Sequence, residues 1–393
     1  MGDFEPDTVT VRIAGGMAEI PAADWDACAG TDNPFLRHAF LEALEESGCV
    51  RPETGWAPYH VVIEDEDGRL QGGAPLYLKG HSRGEFIFDY GWADAYERAG
   101  GQYYPKLLSA VPFTPVTGPR LLSRPGLDRT EMIDKLASGC IAVARQLEVS
   151  SLHINFPTET EWRRLGALGL LQRTDQQFHW LNEGYDCFDD FLGALTSRKR
   201  KTIRKERRGA QESGIEIEVI GGDRLTEAHW DAFYGFYQDT GSRKWGRPYL
   251  NRQFFSLIGE RMANEIALVM CSRDGRWIAG ALNFVGSETL FGRYWGCIED
   301  HRFLHFEACY YQAIDYAIRH GLKCVEAGAQ GPHKLARGYL PTHIYSAHWI
   351  SERRFRDAVE DYLQHERREV DRDIAHLAEY APFKNDQGTA ENE

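Results

Sequence analysis

The stretch VEAGAQGPHKLARGYLP, residues 325–341, leaves a short apolar strand and runs into a loop of glycine, histidine, lysine and arginine. Gly328 and Gly331 give the backbone left-handed freedom and let N–H groups approach a bound group closely. Lys334, with Gln330, His333 and Arg337 around it, adds positive charge, a combination suited to holding a negatively charged or developing-negative group. A plain turn would also use the glycines, with its charges shown to water. A second stretch, GRYWGCIEDHRFLHFEACYYQAI (292–314), reads as a strand carrying Tyr294 and Trp295, an acidic turn and a helix. A helix start after a central strand is a ready anion site. His305 and Glu307 fall in its first turn, as acid/base groups or as ordinary capping residues.

A third, KGHSRGEFIFDYGWADAYERAGGQYYPKLL (79–108), gathers Asp89, Asp94, Glu85 and His81 among many aromatic residues. Carboxylates beside aromatic rings suit an amine or peptide-like acceptor, with Asp89 as a base, although aromatics also simply fill cores. A fourth, SRKRKTIRKERRGAQESG (197–214), places eight Arg or Lys and one Glu within 197–208. Arg198, Lys199, Arg200 and Lys201 would contact the phosphates of tRNA or a nucleotide cofactor through charge alone. The competing reading is a solvated charged helix paired with acids elsewhere. Only Ile203 is large and apolar here, so the helix is expected to face solvent beside an interdomain cleft.

The elements that position these groups read as a duplication. EDEDGRLQGGAPLYLKGHSRGEFIFDYGW (64–92) and CSRDGRWIAGALNFVGSETLFGRYWG (271–296) each suggest a strand, an Asp-Gly hairpin turn, a second strand, another turn and a third strand near a Gly/Trp pair. Asp67 and Asp274 stand about half the chain apart. Each half continues with a helix (130–150 and 305–321), a short strand, and a returning segment, FHWLN or IYSAHWI. The expected fold class is α/β (α+β), two units with mixed sheets flanked by helices, spanning 1–182 and 183–393 and packed on each other. FDDFLGALT joins the basic stretch on one helical pattern, giving a basic helix over 188–213, and an amphipathic helix is expected over roughly 353–379. The first half has no glycine loop and no lysine where the second carries both, which favours a functional role for the loop.

Composition narrows the classes. The 393 residues, 42% hydrophobic and 12% aromatic, can build a large core, and a net charge of −14 excludes a protein that coats nucleic acid or anionic membrane over its whole surface. Eight scattered cysteines without a C-x-x-C pair disfavour zinc and a disulfide framework, and His301 with His305 has no third ligand, so no metal is expected. With neither a basic n-region nor a hydrophobic stretch at its start, and no 20-residue apolar span, the chain reads as cytoplasmic.

The segments GAQGPHKLARGYLPTHIYSAHWI, LHFEACYYQAIDYAI, SRKRKTIRKER, GEFIFDYGWADAY and YYPKLLSAVPFTPVTGPRLL resemble the FemAB-like acyltransferases, often described as peptidoglycan biosynthesis or recognition proteins, within the GNAT (Gcn5-related N-acetyltransferase) superfamily. The resemblance covers nearly the whole chain and implies two tandem GNAT-like domains. Fem transferases move an amino acid from aminoacyl-tRNA onto the peptide of a cell-wall precursor and carry a second-domain glycine loop followed by lysine. It therefore implies that Gly328, Gly331 and Lys334 are the matching positions, with Lys334 stabilising the donor's carbonyl oxyanion or leaving hydroxyl. Gln330, His333 and Arg337 depart from that pattern, and the long coiled-coil insertion is missing. So is the full Gln/Arg-x-x-Gly-x-Gly/Ala pattern of acetyl-CoA enzymes. The expected function is N-acyl transfer from acyl-CoA or aminoacyl-tRNA, used as donor substrate rather than tightly bound cofactor, to an amine acceptor. The alternative is a non-catalytic protein binding cell-wall fragments, tRNA or nucleotides.

Overall fold

Hydrophobic strands separated by turns build three sheet segments in this chain. The structure, a computed structural model, describes residues 10–212, 214–244, 248–328 and 331–384, so Gln330 lies outside the described residues. The chain divides into two units, one formed by 1–175, 249–262 and 343–372, the other by 176–248, 263–342 and 373–393.

In the first unit, β1 (Arg12–Ala14), β2 (Trp56–Pro58), β3 (His60–Glu64), β4 (Leu70–Ala74), β5 (Leu76–Lys79), β6 (Lys106–Ser109), β7 (Leu122–Ser123) and β8 (Ser151–Asn155) follow in chain order. β1, β3, β4 and β7 form a small sheet, while β2, β5, β6 and β8 form a second, in which β6 and β8 run parallel. The helix Arg129–Gln146 makes that parallel crossover. Asp128 caps it by accepting from the N–H groups of Thr130 and Glu131, and it buries Leu136, Cys140, Ile141 and Ala144 near Leu107, Leu152 and Ile154.

β9 (Leu171–Leu181) leads into the second unit, where β10 (Ile215–Ile220), β11 (Ile266–Arg273), β12 (Arg276–Val285) and β13 (Thr289–Cys297) form an antiparallel run. β14 (Cys324–Glu326) then pairs parallel with β13, and residues 179–181 of β9 pair antiparallel with β14. The last strand, β15 (Leu340–Ile350), pairs antiparallel with β8, His348 opposite His153. Both halves thus repeat hairpin, third strand, helix and parallel strand. The returning segments are exchanged, however: FHWL closes the sheet of the second unit and YSAHWI that of the first. The alternation of apolar residues marks them as strands but says nothing about which edge they join.

Three local expectations change. Residues 84–92 form no strand; the chain loops, with Phe86 at φ 62°, and enters the helix Tyr90–Arg98, while the third strand of the first half is β6. The reason is a buried ion cluster that consumes Glu85 and Asp89. The basic helix is two helices, Phe188–Ala194 and Ser197–Gln211, since Leu195 is extended and fully buried, bridged to Phe383, while Thr196 N–H donates to Pro382 O. The Asp274-Gly275 turn is a two-residue hairpin with both residues at positive φ, whereas the Asp67-Gly68 turn is wider and braced by the Asp65 side chain, which accepts from Asp67 and Arg69 N–H. The C-terminal helix Arg353–Glu379 buries Val359 and Leu363, as its sparse apolar stripe predicts. Among the described residues no helix is long and apolar enough to cross a membrane.

Candidate functional site

In the second unit β13 and β14 pair only from Thr289–Cys324 to Phe291–Glu326 and then part, because β14 ends while β13 continues to Cys297. The Gly-rich loop begins where they part. Arg293, at the fork, is bonded to Gly292 O at 2.9 Å and pairs with Glu326 Oε2 at 2.8 Å. Gly328 (φ 75°) and Gly331 (φ 120°) occupy left-handed backbone, and a Cβ at Gly331 would meet the His333 ring at 2.3 Å, so both positions need glycine.

Lys334 is 2% exposed. Its Nζ donates to Ala327 O at 2.6 Å and Gly328 O at 2.8 Å, drawing the loop back onto itself. No carboxylate pairs with it among the described residues, and burial, with the Arg293 charge added, lowers its ammonium to about 7. The lysine that the sequence suggested as a displayed loop cation is a buried clamp. Two of its three N–H groups serve the loop and one remains.

Around it the other candidates fall into place. Arg337 Nη2 reaches both oxygens of Glu206 at 2.9 Å, and its guanidinium lies 3.5 Å from the centre of the Phe306 ring. His333, exposed, is bonded to the Tyr310 hydroxyl at 2.9 Å through Nε2. His305 packs edge-on against Trp295, ring centres 5.3 Å apart, and against Tyr310 at 5.4 Å, while Tyr294 packs against Tyr237 at 5.5 Å. Glu307 is fully buried in a π turn, Glu307–Tyr311, that interrupts the helical run Leu304–Arg319. It accepts from Arg207 and Gln312, and burial raises its carboxyl above the usual range even against the Arg207 charge.

Two of the grooves along the basic helix hold Arg198, Lys199 and Lys201. Arg198 and Lys199 line one of about 360 Å³ with Glu206, Tyr311 and Arg337. Lys201 lines the other, about 750 Å³, with Arg204, Lys205, Arg208 and Arg302, the last beside the start of the helix at Leu304. Arg200 turns back to Ser197 Oγ at 3.4 Å. Lys201, Lys205, Arg208 and Arg302 have no carboxylate partner among the described residues, whereas Arg204 pairs with Asp189 at 2.9 Å. Residues 201, 204, 205 and 208 follow the i, i+3, i+4, i+7 spacing of one helix face, a signal present in the sequence that a count of charges alone passes over.

The first unit holds Asp89 and Asp94. Asp94 is exposed on the helix Tyr90–Arg98 and pairs with Arg98, one turn on, at 2.6 Å. Asp89 is buried, accepting from Lys106 Nζ and Ser82 Oγ at 2.5 Å each and from the Tyr103 hydroxyl at 2.6 Å. Burial pushes its carboxyl up, yet these donors hold it well below the ordinary range. Lys106 also donates to Glu85 Oε2 at 2.8 Å, and Glu85 Oε1 lies 3.9 Å from Lys79. From Tyr103 the network continues to His153 Nε2 at 3.3 Å, and His153 Nδ1 lies 2.7 Å from His348 Nδ1. Lys79, Lys106, His153 and His348 were missed by the sequence reading, because buried charge has no local signature when its partners lie tens of residues away.

No curated protein matches the chain. Among solved structures it is similar to FemX, with a TM-score of 0.54 and 13% identity over 87% of this chain and 98% of that one. It is also similar to the C-terminal domain of a protein described as a lysylphosphatidylglycerol synthetase from Agrobacterium fabrum, at 0.53 and 10% identity over 88% and 96%. A third is L-PGS from Bacillus licheniformis, at 0.50 and 9% over 85% and 98%. At such identities the likeness is one of fold. With the FemAB_like sequence model, peptidoglycan biosynthesis/recognition, matching residues 16–385, the chain belongs to the FemAB-like family and shares its fold with FemX.

Proposed function

We propose that the protein is a cytoplasmic N-acyltransferase that moves an acyl or aminoacyl group from a phosphate-bearing donor, aminoacyl-tRNA or acyl-CoA, to the amine of an acceptor such as a peptidoglycan precursor. The observation that carries this reading is the groove of Lys201, Arg204, Lys205, Arg208 and Arg302 at the start of the helical run Leu304–Arg319, in a chain whose net charge is −14. Lys201, Lys205, Arg208 and Arg302 outnumber the one carboxylate lining the groove, Glu212, and attract phosphate, and the positive end of a helix adds to them. The donor's phosphates lie in this groove and its acyl carbon reaches the fork between β13 and β14. The amine attacks that carbon, a C–N bond forms, the ester C–O or thioester C–S bond breaks, and the leaving oxygen or sulfur departs as a ribose hydroxyl or a thiol carrying the proton that the amine gives up. Negative charge grows on the carbonyl oxygen, where the remaining Lys334 N–H and loop amides stabilise it.

Alanyl-tRNA and acetyl-CoA, each titrated against the protein at several salt concentrations, test the reading. Changing Lys201, Lys205 and Arg208 together to Gln should weaken the true donor and lower the magnitude of its salt slope by about three times the per-contact value. Unchanged affinity for both donors would leave the groove a solvated charged face.

A further inference from the structure

The helix Glu159–Ala167, the residues His343 and Tyr345 of β15 and the C-terminal helix border a groove of about 590 Å³ in the first unit, and none of the groups discussed above lines it. Its apolar part is two half-buried rings, Trp162 and Tyr345, with centres 4.8 Å apart and planes tilted by 39°. Both rings are held in place: Trp162 Nε1 donates to Ser346 O at 3.1 Å, and the His343 ring lies nearly parallel to that of Tyr345 at 6.3 Å. Rings fixed by their neighbours but left uncovered form a ready platform for the apolar face of a ligand.

Most charges around the platform are already matched. Glu159 pairs with Arg163 at 2.6 Å, Asp371 lies 2.8 Å from His343 Nε2, and Arg367 is tied back to Gln172 O. The exceptions are Gln364 and Arg368, one turn apart on the C-terminal helix, whose side chains make no hydrogen bond or ion pair among the described residues. Thr174, on β9, also lines the groove; it is 6% exposed, and its buried hydroxyl has no hydrogen-bond partner. A buried hydroxyl left unsatisfied by the fold is one that a bound molecule can answer.

We propose that this groove binds an acidic saccharide, a pyranose whose C–H face rests on Trp162 and Tyr345 and whose carboxylate pairs with Arg368. Ring hydroxyls then bond Gln364 and Thr174, the latter after one turn of its side chain between staggered positions. The choice follows from what the groove offers together. A puckered ring meets two surfaces tilted against each other, which a flat nucleobase cannot stack on at once. An aliphatic acid would leave Gln364 and Thr174 unanswered, and a neutral sugar would leave Arg368 so. The site adds to the transfer reading and does not depend on it.

Saturation-transfer NMR on the full chain, with methyl glucuronide, methyl glucoside, cyclohexanecarboxylate and AMP as probes, tests this. The glucuronide should bind, its ring C–H protons receiving the strongest saturation. Removing the carboxylate, as in the glucoside, or the hydroxyls, as in cyclohexanecarboxylate, should weaken binding by about tenfold or more. Arg368→Gln changes an exposed side chain and should lower glucuronide affinity to that of the glucoside. Thr174→Val keeps the shape, removes the unpaired hydroxyl, and should weaken the glucuronide without lowering the melting temperature. A glucuronide that binds no more tightly than either truncated probe, tighter binding of AMP, or wild-type affinity in Arg368→Gln overturns the proposal.

Discussion

Lys79 in the first unit and Lys334 in the second are placed alike and answered differently. Each is buried, each is lowered to about 7 chiefly by burial, and each donates to two backbone carbonyls, Gly55 and Arg83 for Lys79 and Ala327 and Gly328 for Lys334. Lys79 lies 3.6 Å from the centre of the Trp56 ring and 3.9 Å from Glu85, inside a cluster that matches two lysines with two carboxylates. Among the described residues Lys334 has no carboxylate partner, and it sits near a second cation, Arg293. Compensated charge keeps a buried site folded and lets protons be shared within it. Uncompensated charge beside an open strand fork attracts a negative group from outside.

The comparison breaks most visibly at Lys106. Lys106→Met strands Asp89 as a buried anion and takes a donor from Glu85, and should destabilise the protein by about 3–5 kcal/mol, read from urea unfolding. Lys334→Met should lose far less, because removing an unpaired buried ammonium offsets the two carbonyls left without their donor. A loss at Lys334 as large as that at Lys106 would mean that both lysines are structural.

The dependence of stability on pH sharpens the contrast. Lys79 and Lys334 fall from 10.5 to about 7 on folding, so between those values the unfolded chain holds more protons and stability should rise with pH. Replacing either by Met should flatten that rise. Glu85 moves from 4.5 up to about 7, so the folded chain holds more protons in that window and stability should fall as pH rises through it. Glu85→Gln should remove the fall, which unfolding free energies measured at closely spaced pH values would reveal. Smallest of all is Asp94→Asn, expected to change stability by under about 0.5 kcal/mol, since its pairing with Arg98 is exposed.

Periodicity made much of this architecture legible. The Asp-Gly hairpins, the crossover helices and the C-terminal helix all follow from apolar spacing and turn residues, and comparing the halves singled out the loop at 325–341. Strand partners were not legible: FHWLN and IYSAHWI read as returning segments, and the edge each joins depends on long-range packing that no local pattern carries. The segment 84–92 misled for a related reason. Its alternating aromatics resemble a strand, but Glu85 and Asp89 are drawn inward by Lys106, some twenty residues on. At the candidate site, the sequence marked Lys334, Arg337, His305 and Glu307, which one unit gathers, and Asp89, which the other holds. It overlooked Lys106 and Arg302, whose partners are set by the fold.

Single-turnover transfer by Lys334→Met, measured beside donor affinity and melting temperature, tests the central claim most directly. The account predicts a fold and a donor Kd close to those of the wild type, with the rate of acyl transfer lower by around a hundredfold or more. A variant that binds donor and transfers at the wild-type rate would contradict it and leave Lys334 as a clamp for the loop alone.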